Sequence, residues 1–527
     1  LAAGLRALGL ERGARVVLVS ENRPEFLIAD AAIMAAGGVA VPAYTTNTEG
    51  DHQHILDDSG AAMAIVSTPA LAKRLLPAAA TAETCRAVIT MAQVTGHEDD
   101  SPALHLWDDV LAEGAERLAA AADGEDPLAP LPERDDTAAL IYTSGTGGLP
   151  KGVMLSHGNI LANCHSIFPL LRGTGLDMDA EVFLSFLPLC HAYEHTAGQF
   201  FPLTIGAQIY YSRGVEHLAQ EMTEVQPTIM TAVPRLYELL HQRLLAGLKK
   251  QPKWRQALFN RALTLGKRRL EKGKLGPLAA IEDRVLDRLV RDKVRGRFGG
   301  RLKGMVSGGA ALSDELGEFF LALGLPLLQG YGQTETAPVV AFNPPGRIKP
   351  GTVGLPLEGV EVKLAPDKEI LVRGANVMQG YWRRPEETAR TIQDGWLHTG
   401  DLGHIDADGY ITITDRKKDI LVLSGGDTLS PARIENALTR QPEIAQAMVY
   451  GDKRPHLVAI LVPDEDFCRE WAKENSAAND LATLAKTPAF QAALDAVVRR
   501  VNKQMAPPER IRRFTIAPEI FTVENDM

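Results

Sequence analysis

Residues 142–157 read Tyr-Thr-Ser-Gly-Thr-Gly-Gly-Leu-Pro-Lys-Gly-Val-Met-Leu-Ser-His. Thr143, Ser144 and Thr146 bring hydroxyl donors, while Gly145, Gly147 and Gly148 leave backbone N–H groups free of side-chain shielding. Lys151 adds a positive charge at the far end. Such a segment can wrap a polyphosphate with backbone and side-chain hydrogen bonds together. Two other phosphate loops fit less well. A Walker A loop ends in Gly-Lys-Ser/Thr, where this chain has Pro150-Lys151-Gly152, and the third glycine of a dinucleotide fingerprint is Pro150 here. A functionless Gly/Ser/Thr linker accounts poorly for a Lys, a Pro and a set of small residues held in one register.

Further candidates lie downstream. Gln329-Gly330-Tyr331-Gly332-Gln333-Thr334-Glu335 places an aromatic ring, a hydroxyl and a carboxylate within five residues, although a surface turn with a helix-capping Thr would read the same in isolation. Ser307-Gly308-Gly309-Ala310-Ala311-Leu312 follows the strand-like Lys303–Val306 and lets a flat group or an acyl chain approach the backbone. Its plainer reading is a strand-to-helix turn capped by Ser313. His191-Ala192-Tyr193-Glu194-His195 matches an inverted zinc-protease pattern. That site needs both histidines on one helical face plus a distant carboxylate, and Pro188 together with the strand-like Val182–Leu187 argues against it.

These residues need a scaffold. Leu1–Leu10 has helical spacing, Val16–Ser20 reads as a buried strand, and a helix over Pro24–Ala36 leads to a strand over Val39–Tyr44. The alternation returns at His54–Val66, Thr137–Tyr142, Glu181–Leu187 and Gln208–Tyr211, which predicts a parallel sheet covered by helices. The Ala-rich, acidic stretch 110–135 reads as a surface excursion. From Pro344 onward the chain shifts toward β structure, with short strands expected at Val360–Leu364, Glu369–Arg373 and Tyr410–Thr414. The sharpest boundary is Thr414-Asp415-Arg416-Lys417-Lys418-Asp419. The expected organisation is a large N-terminal domain over residues 1–415, made of helix-covered β-sheets plus a β-rich subdomain, and a small mobile α+β domain over 416–527.

The 527 residues carry 45% hydrophobic content, enough for at least two cores, and a net charge of −10, which argues against a nucleic-acid partner. Cys85, Cys164, Cys190 and Cys468 form no CxxC pair, which points to reduced thiols and a cytoplasmic setting. No run of about 20 apolar residues is present. Between Arg243 and Lys303 there are 19 Lys/Arg against 5 Asp/Glu, with helical apolar spacing. This basic amphipathic face is suited to peripheral contact with an anionic membrane, at the inner face of a bilayer; a solvated helical excursion is an equal reading.

Taken together, the motifs resemble, in order and over essentially the whole chain, those of the adenylate-forming enzymes. The resemblance implies that residues 143–147 and Lys151 bind ATP phosphates, that Tyr331 stacks on adenine, and that Thr334 touches the α-phosphate. It also implies that Glu335, with Thr146, holds Mg²⁺, a cation for which one carboxylate plus substrate oxygens suffices. Gly308, Gly309, Ala310, Gln329 and Gly332 complete the nucleotide site, Asp401 reads the ribose hydroxyls with Arg416, and His191 lies beside the substrate carboxylate. Thr146, Lys151, His191 and Glu335 are the implied catalytic set. Lys418 matches the hinge between half-reactions, and Ser424-Gly425-Gly426 the CoA channel.

Phe183–His195 and Thr231–Glu238 look most like the long-chain acyl-CoA synthetase branch, which implies ATP-dependent conversion of a fatty acid to acyl-AMP and then transfer to CoA. Loading of a carrier protein, or nucleotide and acyl binding without catalysis, are the alternatives. One departure stands out. The family's adenylation lysine follows a Glu-Asn dipeptide, and here Phe521-Thr522-Val523-Glu524-Asn525-Asp526-Met527 stops before it. Both ends of the sequence fall inside an expected element, so a longer native chain is expected.

Overall fold

Runs of β-branched and small apolar residues separated by amphipathic helices build two large sheets. In the computed structural model, which describes residues 1–95, 102–121, 126–143, 149–172, 175, 180–425, 427–478 and 480–521, the first sheet has eight strands. Their order is Gly380–Tyr381, Lys151–Ser156, Thr137–Thr143, Val39–Ala43, Arg15–Val19, Met63–Val66, Ala87–Thr90 and Ala103–Leu106. From Thr137–Thr143 to Ala103–Leu106 the neighbours run parallel. Val17, Val19, Val41, Ala64, Val66 and Val88 are buried between the sheet and its helices, as parallel strands covered on both faces require.

The expected all-parallel arrangement gives way at the edge. Lys151–Ser156 runs antiparallel to Thr137–Thr143, and Gly380–Tyr381 antiparallel to Lys151–Ser156. The physical reason is connection length. Seven residues separate Thr143 from Lys151, too few for a parallel crossover, which takes a dozen or more.

The second sheet has seven strands in the order Leu355–Pro356, Val339–Phe342, Leu327–Gly332, Gly304–Ser307, Ile229–Ala232, Val182–Ser185 and Gln208–Tyr211. The last five run parallel, and Val339–Phe342 turns back against Leu327–Gly332. Its core is aromatic, with Tyr237, Phe319 and Phe320 packed edge to face. A mostly helical excursion separates the neighbouring strands Ile229–Ala232 and Gly304–Ser307: Pro234–Lys249, Lys253–Lys272, Pro277–Leu286 and Asp292–Arg297. Arg291, fully buried, ties this excursion down by donating to the Ala322 carbonyl (2.9 Å), the Ala262 carbonyl (2.7 Å) and the Asp283 carboxylate (2.6 Å).

The stretch 110–135 is not simply a surface excursion. Its first part continues a helix, Trp107–Ala120, that buries Val110 and Gly114. A Cβ on Gly114 would lie 2.7 Å from the Gly4 backbone nitrogen. The small residues that made this segment look solvated are what let two helices touch backbone to backbone.

The chain divides into two compact units. The larger comprises Leu1–Leu364, Leu371–Thr399 and Ile405–Thr412; the smaller comprises Ala365–Ile370, Gly400–His404 and Ile413–Met527. Short strands at Val360–Leu364, Glu369–Gly374, Trp396–Ile405 and Ile411–Arg416 make up the β-rich part. In the smaller unit, Ile444–Tyr450, Leu457–Pro463 and Ile511–Ile516 form a three-stranded sheet. The helices Pro431–Thr439 and Pro488–Asn502 bury Ile434, Leu438 and Val497 with its residues Leu457 and Leu461.

Candidate active site

The two strongest motifs belong to different sheets, and a third segment joins them. Thr143 and Lys151 face each other across the antiparallel register. Residues 144–148, which include Ser144, Gly145, Thr146 and Gly147, lie outside the described residues. Lys151 Nζ lies 2.5 Å from Glu387 Oε1 and 4.0 Å from the centroid of the Tyr381 ring. The Tyr381 hydroxyl in turn donates to Glu335 Oε1 at 2.8 Å. A cation from the first motif and a carboxylate from the second are therefore held by one tyrosine, the cation over its ring and the carboxylate at its hydroxyl. Burial, and then the Glu335 charge, keep that phenol protonated by raising its pKa.

Backbone bonds fix the same arrangement. The Trp382 N–H donates to the Gly152 carbonyl (2.8 Å) and the Met378 N–H to the Glu335 carbonyl (2.9 Å). Buried asparagines supply the rest. Asn163 donates to the Val339 carbonyl (2.8 Å), Asn159 to the Ala375 and Val377 carbonyls (2.8 and 2.9 Å), and Asn376 to the Thr336 carbonyl (3.1 Å). None of Tyr381, Glu387 or these asparagines was singled out in the sequence. Asn159 and Asn163 stand one helical turn apart on the same side of the helix His157–Arg172.

Tyr331, Gly332 and Thr334 line a cavity together with Gly308, Gly309 and His191. Gly332 passes so close to the Pro338 carbonyl that no side chain could be accommodated. Gly308 makes room for the Tyr193 ring, whose hydroxyl donates to the Val306 carbonyl (3.0 Å). The lining also includes the apolar Ile167, Phe183, Phe201, Ile229, Val339 and Phe342, with Thr231 and Ser307 among them. Both readings of Ser307–Leu312 hold at once. It lines the cavity, and it leads into the helix Asp314–Ala322, whose Leu316 N–H bonds the Ser313 hydroxyl (3.2 Å). Ala310 is exposed, and Gln329 lines a separate hollow with Asn343 and Thr352.

His191, Glu194 and His195 turn to three different partners. His191 stands at the cavity with its Nδ1 accepting from the Tyr193 N–H (3.2 Å), and the protein packed around it lowers its pKa, which favours a neutral ring. Glu194 is fully buried and accepts from the Thr231 hydroxyl (2.6 Å); loss of water raises its pKa to about 7. His195 pairs with buried Asp30 (3.0 Å). Glu194 and His195 lie on a π-helical stretch, Glu194–Phe200, not on a regular α-helix.

The remaining candidates lie in the smaller unit. Arg416 Nε approaches the buried Asp401 carboxylate to 3.2 Å. Their turn is braced by Glu369, which accepts from the Gly400 N–H (2.9 Å) and pairs with Lys417 (3.0 Å). Lys417 also reaches Asp367 (2.6 Å), and these two carboxylates raise its pKa. Lys418 follows, exposed. The Ser424 N–H bonds the Arg454 carbonyl (3.0 Å), Gly425 is exposed beside it, and Gly426 lies outside the described residues.

Residues 1–382 match the family model described as AMP-binding enzyme, and residues 418–520 match the AMP-binding enzyme C-terminal domain. The chain belongs to the AMP-binding enzyme family. It is 34% identical to the long-chain-fatty-acid–CoA ligase FadD15 of Mycobacterium tuberculosis, over 99% of this chain and 85% of that protein. It is 32% identical to the peroxisomal long chain acyl-CoA synthetase 6 of Arabidopsis thaliana, over 100% of this chain and 76% of that one. For human long-chain-fatty-acid–CoA ligase 1 the identity is 30%, over 97% and 74%. Among solved structures, ATP-bound MatB from Rhodopseudomonas palustris superposes with a TM-score of 0.69 at 24% identity, covering 98% of this chain and 88% of that one. That likeness concerns the fold. Adenylate-forming ligases of this family use ATP and CoA. Among the described residues, no helix of this member is long and apolar enough to cross a membrane.

Proposed function

We infer that this chain is an AMP-forming acid–thiol ligase acting on long-chain fatty acids. The carboxylate attacks the α-phosphate of ATP to give acyl-AMP and pyrophosphate, and the CoA thiol then displaces AMP. The observation that carries this reading is the cavity. Its lining brings Tyr331, Thr334 and His191 together with a largely apolar set that includes Ile167, Phe183, Phe201 and Phe342, and the chain's relatives at 30–34% identity are named as long-chain ligases.

In this reading adenine stacks on Tyr331 against Gly308, Gly309 and Ala310, with Gln329 and Gly332 behind it, and Thr334 meets the α-phosphate. Lys151, with residues 143–147, neutralises the phosphates. Glu335, oriented by Tyr381, and Thr146 offer hard oxygen ligands that suit Mg²⁺, which when bound supplies charge neutralisation at the phosphates. His191, held neutral, orients the fatty carboxylate without pairing it as a counter-ion. Asp401 and Arg416 read the ribose. Residues 416–527 act as a lid hinged at Lys418, and Ser424-Gly425-Gly426 line the path of CoA. Catalysis then rests on positioning and preorganised charge. The protein is cytoplasmic, with peripheral membrane contact through residues 243–303.

AMP release from ATP and palmitate, measured with and without CoA, tests the ligase reading. The expected result is AMP and acyl-CoA in equal amounts, dependent on both fatty acid and CoA. Sustained AMP release without CoA, or none with either, overturns it.

A further inference from the structure

We propose that the helix Pro277–Leu286 and the turn that follows it form the surface by which this protein docks onto an anionic lipid bilayer. This names the residues of the membrane contact proposed above and rests on that reading. Leu278, Ile281, Val285 and Leu289 are exposed by 85, 64, 51 and 49%. Their spacing of three, four and four residues puts them on one face of consecutive turns. A continuous apolar stripe in water marks an interaction surface, whereas scattered apolar residues do not.

The charges around the stripe say what covers it. Every carboxylate between residues 277 and 292 is paired with an arginine of the same excursion. Glu282 pairs with Arg261 (2.6 Å), Asp283 with Arg269 and Arg291 (2.7 and 2.6 Å), Asp287 with Arg295 (2.8 Å), and Asp292 also with Arg295. Arg284 and Arg288 stay exposed beside the stripe, as do Lys272, Lys274 and Lys293. The stripe's far end opens into a groove where Leu289 meets Trp254, itself 60% exposed, with Arg255, Lys293 and Arg297 at the rim. A protein of net charge −10 thus concentrates unpaired cations around its exposed apolar residues. That is the chemistry of an interfacial helix, with apolar side chains entering the acyl boundary while long cationic ones reach up to the headgroups. The location suits a fatty acid ligase, because the excursion joins Ile229–Ala232 to Gly304–Ser307, and Ile229, Thr231, Val306 and Ser307 all line the cavity.

Flotation of the full chain with vesicles tests the proposal, using phosphatidylcholine alone or mixed equally with phosphatidylglycerol. Wild type is expected to float with the anionic vesicles only, less so as salt rises. Arg284→Gln/Arg288→Gln should lose about 30-fold in partitioning, at ~1 kcal/mol per cation, and Leu278→Ser/Ile281→Ser should lose at least about tenfold. All four side chains are exposed, so melting and AMP release from micellar palmitate should not change. Equal binding to neutral vesicles overturns the charge argument. Flotation of both variants like wild type places the contact elsewhere and overturns the assignment to this stripe. Failure of wild type to float overturns the membrane contact while leaving the ligase reading to its own assay. A vesicle-free dimer abolished by Leu278→Ser/Ile281→Ser means a second copy covers the stripe, and also overturns it.

Discussion

At the scale of single residues, Lys151 is paired with Glu387 at 2.5 Å. If Lys151 serves the triphosphate, ATP must displace that carboxylate, and the two ligands compete for one ammonium. Lys151→Ala should lower kcat/KM for ATP by roughly 10- to 100-fold, the scale of one charge-assisted hydrogen bond. Glu387→Gln should act in the opposite sense and lower the ATP KM several-fold, because the competitor is gone. Their combination should behave like Lys151→Ala alone, and steady-state kinetics of the four proteins would check it. An ATP KM that rises in Glu387→Gln would make the pair a structural brace. The motif residues around Tyr331 and Lys151 were legible in the sequence because glycines, hydroxyls and a lysine in fixed register have few other uses. Tyr381 and Glu387 were not, because an aromatic and an acid in a polar helix-forming stretch look like any surface, and only the edge-strand pairing brings them to Lys151.

Among elements, legibility followed periodicity. The strands expected at Gln208–Tyr211 and Val360–Leu364 have those bounds in the structure, and those near 15–19 and 39–43 agree to within a residue or so. The alternation of buried strand and amphipathic helix carries that information. The two-residue strand Gly380–Tyr381 has no period to detect, and Lys151–Ser156 was absorbed into the motif that precedes it. The π-helical turn at Glu194–Phe200 likewise leaves no distinct spacing. Packing of the helical excursion depends on Arg291, and this can be measured. Arg291→Met should lower unfolding free energy by ~3 kcal/mol, because it strands Asp283 and two carbonyls in the interior. Arg291→Met/Asp283→Leu should recover part of that loss, as replacing both members of a buried pair commonly does. Urea midpoints at matched m-values would decide it. A loss under about 1 kcal/mol in the single variant would mean that Arg269 alone satisfies Asp283.

For the molecule as a whole, two buried groups tilt stability with pH in opposite directions. His52 has its pKa lowered to about 4, first by burial and then by the charge of Arg74. The unfolded chain takes up a proton near pH 6.5 that the folded one refuses, so this group's contribution is full above that pH and is lost as pH falls toward about 4. Glu194 does the reverse. Burial raises its pKa to about 7, so the folded state keeps a proton that the unfolded state releases, and stability falls as pH rises from about 4.5 to 7. Removing the titration isolates the second effect. Relative to wild type, Glu194→Gln should gain about 3 kcal/mol between pH ~4.5 and ~7.5. Denaturant titrations across that range would test it, and a constant difference between the two proteins would show that Glu194 is ionised in the fold.

The strand Gly380–Tyr381 also has a consequence in time. It closes the edge of a sheet whose other strands all lie within residues 15–156, and the Lys151–Glu387 pair spans 236 positions. While the chain is being synthesised, Lys151–Ser156 can pair on one side as soon as it emerges, and must then wait for more than 200 further residues before its other side is covered. During that interval its backbone N–H and C=O groups face water as an open template for any other extended chain. A ribosome that stalls before residue 380 would release a product with a formed sheet, an uncovered edge and no means of holding Lys151 beside Glu335.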